Sequence, residues 1–198
     1  MDIVVKKLSK SYNEKRVLNE VNCTFAQKQI SCIMGTSGAG KTTLIRILMG
    51  LEEADSGEVL GLANMKHSAI FQEYRLCMNL TAIANIRMVC GQAMNDEYIK
   101  EQLEAVGLVE ADFGKPVREM SGGMKQRVSI VRALLADYDV LFMDEAFKEM
   151  DEETTHDMLT YVRKMIIGKT VIMISHHEEE AKFFNAKVFY LEEEKIIL

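Results

Sequence analysis

Residues 35–43 read Gly35-Thr36-Ser37-Gly38-Ala39-Gly40-Lys41-Thr42-Thr43, a match to G-x-x-x-x-G-K-[ST]. No other stretch constrains the chain as strongly, because each residue type in it has a physical task. The glycines let the backbone take up conformations and close approaches that a Cβ would block. The loop N–H groups then converge on phosphate oxygens, at the positive end of a helix that begins near Lys41. Lys41 adds a mobile point charge for the β- and γ-phosphates, and the Thr42 hydroxyl can ligate Mg²⁺. The apolar run Gln29–Met34 ahead of the loop has the composition of the buried strand that feeds such a turn. Strand, loop and helix together imply a nucleoside triphosphate ligand, and residues 35–43 are all candidate contacts for it.

Length and composition narrow the setting. A chain of 198 residues, 48% apolar and 27% charged, is sized and balanced for one soluble globular domain. A net charge of −6 argues against a surface that coats nucleic acid, so no nucleic-acid partner is expected. No segment approaches the ~20 apolar residues that span a bilayer. The start, Met1-Asp2-Ile3-Val4-Val5-Lys6, lacks the pattern of a signal peptide. Cys23, Cys32, Cys77 and Cys90 have no metal-type spacing and read as buried, reduced thiols.

Hydrophobic patterning predicts an α/β fold. Strands are expected over residues 4–8 and 21–26 with a turn near Asn13, then over 29–34, 58–60, 68–71, 140–143, 169–175 and 188–191. Helices are expected over 41–49 (closed by Gly50), 121–136, 152–167 and 178–184. Their alternation gives a mostly parallel core sheet with helices on its faces. Between about 79 and 118 the apolar spacing turns helical (Ile83, Ile86, Val89; then Ile99, Leu103, Val106), with turns at Gly91 and Gly107. The expected organisation is therefore a core of 1–78 and 119–198 with an all-helical subdomain, 79–118, inserted in it.

Two further stretches carry chemistry. The apolar strand 140–143 ends in Asp144-Glu145, and the carboxyl ends of parallel strands line the ligand crevice. Asp144 is placed to hold Mg²⁺, directly or through its waters; Glu145 can orient or deprotonate an attacking water. Ser121-Gly122-Gly123 opens a helix and reads in two ways: as an anion-binding cup of free N–H groups, or as an N-cap with a tight turn.

With these residues in place, the chain resembles the ATP-binding subunit of ABC transporters over essentially its whole length. The motifs fall in family order: the P-loop at 35–43, a Q-loop glutamine at Gln72, the signature Met120-Ser121-Gly122-Gly123-Met124, the Walker B strand at 140–145, the D-loop aspartate Asp151 and the switch histidine His176. Residues 71–76 and 144–147 look most like the importer branch that includes nitrate, sulfonate and taurine systems. The resemblance implies a P-loop NTPase fold of the ABC type, with an N-terminal antiparallel β part and ATP and Mg²⁺ as cofactors. Tyr12 falls where the family stacks an aromatic ring on adenine. Glu145, His176 and Gln72 form the implied catalytic set, and Thr42, Asp144 and Gln72 the implied metal set. Tyr12, Ser121, Gly122, Gly123 and Asp151 join residues 35–43 as nucleotide contacts.

The resemblance also implies partners. One chain presents its P-loop and Walker B acids, and a second presents Ser121-Gly122-Gly123 to the same γ-phosphate. Two ATPase subunits, identical or different, then close head to tail around two ATP molecules. An integral membrane permease, and with it a substrate-binding protein, would place the pair on the cytoplasmic face of the membrane. Leu76, Met78 and Leu80 read either as the apolar surface that docks the permease or as residues buried beneath the helical insertion.

The chain departs from the family pattern at several positions. Met124 stands where glutamine is usual and Met120 where leucine is common. Ala146, Lys148, Glu149 and Met150 replace the usual proline, glycine, small residue and leucine of the D-loop, placing charge where two subunits approach. The segment Gly57–Gln72 is abbreviated, and nothing after the last strand reads as a regulatory domain. The expected function is an ATPase subunit that drives an importer. The alternative is a nucleotide-gated regulatory module with little turnover.

Overall fold

A computed structural model describes residues 1–90, 94–148, 150–192 and 195–197; the expected turn at Gly91 and the D-loop Glu149 lie outside them. The chain divides into two compact units, 1–67 with 139–145 and 168–198, and 68–138 with 146–167.

In the first unit, β1 (Ile3–Tyr12) and β2 (Lys15–Phe25) pair antiparallel around a turn at Asn13. Ile3, Val5 and Leu8 face the core with Leu18, Val21 and Phe25. Both strands outrun the expected 4–8 and 21–26, because register shifts between Val5 and Ser11 carry the pairing through a polar stretch without alternation. β3 (Ile30–Met34) and α1 (Lys41–Leu48) flank the glycine-rich loop; α1 buries Leu44, Ile45 and Leu48 and ends at Gly50. β4 (Ser56–Leu60) pairs with the other edge of β1. β5 (His67–Ile70) begins where the first unit's opening segment ends.

The second unit is mostly helical. It holds α2 (Ala82–Cys90), α3 (Asp96–Ala105), the single turn α4 (Glu110–Phe113), α5 (Gly122–Leu135) and, after the chain has returned to the first unit, α6 (Glu152–Met165). The expected Ile83/Ile86/Val89 face of α2 is corrected. Ala82, Asn85 and Ile86 are buried, whereas Val89 is 42% exposed. Steps of three residues drift by ~60° around a helix, which carries Val89 off the buried side. Ile99, Leu103 and Val106 are buried as expected, with Gly107 in the turn that follows.

The first unit closes with β6 (Val140–Asp144), β7 (Thr170–Ile174), α7 (Glu178–Phe183), β8 (Lys187–Glu192) and β9 (Lys195–Ile197). Its second sheet runs β6-β7-β3-β8-β9, parallel except for β9, which pairs antiparallel with β8. β6 and β7 are buried at every position, as strands covered on both faces are. β9 lies beyond the expected strands, since a three-residue strand carries too little pattern to read.

The expectation of four buried thiols is corrected at Cys77, which is exposed in the loop after β5. Cys32 is buried, and Cys23 and Cys90 are half-buried; none of the four is in a disulfide. Burial pushes the Cys23 and Cys32 thiols up to about 12 and leaves them unreactive. Among the described residues no helix is long and apolar enough to cross a membrane.

Candidate functional site

The loop after β3 is shaped by what glycine permits. Gly35 has φ 148, and a Cβ there would lie 2.3 Å from the Leu191 carbonyl oxygen of β8; Gly40 has φ 96, and its Cβ would lie 2.7 Å from the Val17 carbonyl oxygen. Neither position accepts a side chain. Gly40 is also the N-cap of α1 and carries no side-chain cap, so the first-turn N–H groups stay open to an anion. Lys41 is only 5% exposed, and its Nζ donates to the carbonyls of Gly35 and Thr36, each at 2.8 Å. Burial pushes the Lys41 ammonium below its usual range, while Glu145 and Asp144 pull it back.

Acidic groups meet this loop from the end of β6. The Thr42 hydroxyl donates to Asp144 Oδ1 at 3.4 Å, and Asp144 is 8% exposed. A hydroxyl and a carboxylate side by side are hard oxygen donors, the set that Mg²⁺ takes alongside phosphate and water. Glu145 has φ 48, left-handed backbone that a non-glycine residue holds only when its surroundings enforce it. Its N–H donates to the Ile174 carbonyl of β7 at 3.2 Å, which pins the residue at the mouth of the sheet. His176 leaves the end of the same β7, and its Nε2 lies 3.0 Å from Glu145 Oε1.

The turn that holds His176 has its own support. The buried Ser175 hydroxyl accepts the His177 N–H at 2.9 Å and lies 3.3 Å from the His177 carbonyl. Glu180, 8% exposed on α7, stands behind it; burial pushes its carboxyl up, and Ser175 and His177 pull it partly back. No motif marks Ser175 or Glu180, and a carboxylate two residues into a short helix gives no signal in sequence.

These parts converge. Tyr12, Ser37, Lys41, Thr42, Glu145 and His176 line one cleft of about 230 Å³ in the first unit. Tyr12 is 42% exposed at the end of β1, with Lys10 Nζ 5.4 Å from its ring centroid. Val17 also lines the cleft although no motif points to it; only the pairing of β1 with β2 brings it there.

Gln72, Ser121, Gly122, Gly123 and Asp151 belong to the second unit. Gln72 is exposed in a bend after β5. Ser121 is the N-cap of α5, with its hydroxyl accepting the Met124 N–H at 3.2 Å, and Gly122 and Gly123 form the first helical turn. Asp151 caps α6 and accepts the Thr154 N–H and hydroxyl, both at 2.9 Å. Those bonds hold its carboxyl below the usual range. Gln126 of α5 donates to the Ala146 carbonyl at 2.6 Å, fixing the start of the segment that leads to Asp151.

Known proteins with the same pattern bear on this geometry. The model of the ABC transporter family matches residues 18–148. The methionine import ATP-binding protein MetN of Rhizobium meliloti (strain 1021) is 35% identical, over 91% of this chain and 56% of its own. The spermidine/putrescine import ATP-binding protein PotA of Pasteurella multocida (strain Pm70) is 32% identical, over 96% of this chain and 55% of its own. The chain thus spans a little more than half the length of these curated relatives. Among solved structures, the dimeric bacterial ABC transporter cassette MJ0796 superposes with a TM-score of 0.86 at 26% identity, covering 99% of this chain and 97% of that one. The same cassette in a post-hydrolysis state with ADP and Pi fits equally, at 0.86. Neither MetN nor PotA is a nitrate, sulfonate or taurine system, so these names do not carry that finer placement. With the family model covering well over half of the residues and the cassette fold matched almost end to end, the chain belongs to the ABC transporter family, as an ATP-binding cassette.

Proposed function

We propose that the chain binds ATP with Mg²⁺ in the cleft of its first unit and hydrolyses it, as one half of a head-to-tail pair that drives a membrane permease in the import direction. One observation carries this reading: Lys41, Thr42 and the Glu145–His176 pair line a single cleft, with Asp144 hydrogen-bonded to Thr42 beside it. Tyr12 stacks on the base, and the loop N–H groups take the phosphates. Lys41 exchanges its two loop carbonyls for β- and γ-phosphate oxygens. Thr42 and Asp144 are the residues that would hold magnesium, which would supply positive charge to offset the phosphate oxygens. Glu145 orients a water and takes its proton as the water attacks the γ-phosphorus; the bond to the bridging oxygen breaks, releasing ADP and phosphate. His176 hydrogen-bonds the γ-phosphate beside Glu145, and Gln72 carries the neutral amide that would serve the metal or its water.

Ser121, Gly122, Gly123 and Asp151 serve the nucleotide of the opposite chain, an identical or a different ATPase subunit. The dimeric form of the solved cassette, and its state with ADP and Pi, support the pairing and the hydrolysis. The import names of MetN and PotA support the direction; the scheme adds a permease partner and a substrate-binding protein, with the pair on the cytoplasmic face of the membrane. Met78 and Leu80, 40% and 39% exposed, are the apolar residues we assign to permease docking. In this scheme 1–78 and 119–198 form the catalytic core and 79–118 the inserted helical subdomain.

Phosphate release from the purified chain with Mg²⁺–ATP, set beside Glu145→Gln, tests the reading. Wild type should turn over, and the variant should lose roughly 100-fold or more. The solution mass of Glu145→Gln should double on adding Mg²⁺–ATP, since removing the base traps the pair. A wild-type chain that binds ATP without turnover would overturn the proposal in favour of a regulatory module.

A further inference from the structure

Arg132 belongs to none of the motifs, yet it joins two of them. It is half-buried on α5, the helix that Ser121 caps. Its Nη1 donates to the Arg75 carbonyl at 2.8 Å and its Nη2 to the Tyr74 carbonyl at 3.4 Å. One planar fork therefore bridges two successive carbonyls in the loop that Gln72 opens. The loop is bent tightly at that point: Arg75 has φ 45, and its guanidinium lies 3.8 Å from the Phe71 ring centroid.

The far end of the loop is attached differently. Asn85, fully buried on α2, accepts the Cys77 N–H at 2.8 Å and donates to the carbonyls of Cys77 and Thr81 at 3.1 and 3.0 Å. The N–H groups of Val117 and Arg118, just ahead of Ser121, donate to the carbonyls of Leu80 and Met78, each at 2.9 Å. Arg118 Nη1 donates to Asn79 Oδ1 at 2.7 Å. These ties hold residues 77–80 against the approach to Ser121; Arg132 holds 74 and 75 against the helix that Ser121 starts.

We infer that Arg132 is a positioning residue that keeps Gln72 in register with the Ser121 turn, so that the glutamine loop and the serine at the head of α5 shift together. The inference rests on the roles proposed above for Gln72 and Ser121. Arginine suits the task because a rigid fork spans two carbonyls with fixed spacing, which a lysine point charge does not. The cleft that grips the nucleotide is in the first unit, so Arg132 bears on turnover and leaves binding alone.

The test compares Arg132→Lys and Arg132→Gln with wild type in melting temperature, Mg²⁺–ATP affinity and turnover, and combines Arg132→Gln with Gln72→Ala. Both single variants should keep ATP affinity within about twofold, and Arg132→Gln should lose turnover about tenfold, the scale of a misplaced catalytic group. Arg132→Lys should lose less than Arg132→Gln, because one donor to Arg75 survives. On top of Gln72→Ala, Arg132→Gln should cost no further turnover, since the two act as a unit. A fully additive loss, or an affinity that falls together with the melting temperature, overturns the inference and leaves Arg132 a stabiliser of the fold. If wild type does not hydrolyse ATP, the proposed function fails on its own account, and amide hydrogen exchange then decides. Arg132→Lys should speed exchange at 74–80 and leave 95–106 unchanged; equal rates at 74–80 in both proteins sink the clamp.

Discussion

His176 Nε2 and Glu145 Oε1 are hydrogen-bond partners at 3.0 Å, so the group assigned to the γ-phosphate and the group assigned to the attacking water are oriented by each other. Strand register produces the meeting. Asp144 sits beside Ile174 on β6 and β7, and Glu145 and His176 each follow within two residues. His176→Ala removes the group assigned to the γ-phosphate and one hydrogen-bond partner of the Glu145 carboxylate. Single-turnover phosphate release at saturating Mg²⁺–ATP should slow by roughly 100-fold, the scale of losing one aligned polar group at a reacting centre. ATP affinity should change little; a parallel loss of affinity would place His176 in ground-state binding instead.

Lys41→Ala leaves the loop backbone in place and deletes its buried cation. Each charge-assisted bond to phosphate is worth about 1.5–3 kcal/mol, so affinity measured by calorimetry should fall by roughly one to two orders of magnitude. An unchanged affinity would refute the phosphate assignment.

Ser121→Arg tests the opposite surface. The cleft proposed to bind ATP lies in the first unit and Ser121 in the second, so one chain should still take up nucleotide normally. Turnover should stop, because a long cation would stand where a partner's γ-phosphate has to approach a hydroxyl and two glycines. Full activity in this variant would mean that hydrolysis needs no second chain.

Glu180 makes stability depend on pH. Burial raises its carboxyl pKa above the usual 4.5, so between that value and the raised one the folded chain holds a proton that the unfolded chain releases. Its contribution is therefore complete at low pH and is lost as pH rises through the folded value. The groups around it are Ser175, His177, Glu145 and Glu179. Glu180→Gln imitates the protonated acid without the charge. It should melt above wild type at pH 8, and the difference should shrink as pH falls toward 4.5. A constant gap across that range would show that the carboxyl titrates normally.

What the sequence discloses and what it hides follow from how far apart the interacting parts lie. The phosphate loop and the acids after β6 can be read directly, because strand, turn and functional group adjoin in the chain. Ser121 and Asp151 can be read as helix starts, and both are caps in the structure. Arg132 cannot be read, since an arginine on a helix is ordinary until its carbonyl partner 57 residues away is known. The same holds for Val17 in the cleft and for Leu191, whose carbonyl is the reason residue 35 must be glycine. Cys77 shows the limit of cysteine spacing: the absence of a metal-type pattern leaves a thiol to be read as buried, and the loop carries this one to the surface.

The phosphate loop springs from β3, which has β7 along one edge and β8 along the other. A loop rooted between two partners cannot soften unless the sheet itself comes apart. The Gln72 loop and the Ser121 cap depend on a few separate side-chain and backbone bonds, which give way one at a time. Warming should therefore stop the proposed hydrolysis before the cleft loosens its grip: turnover fades while nucleotide stays bound, and only global melting lets the nucleotide go.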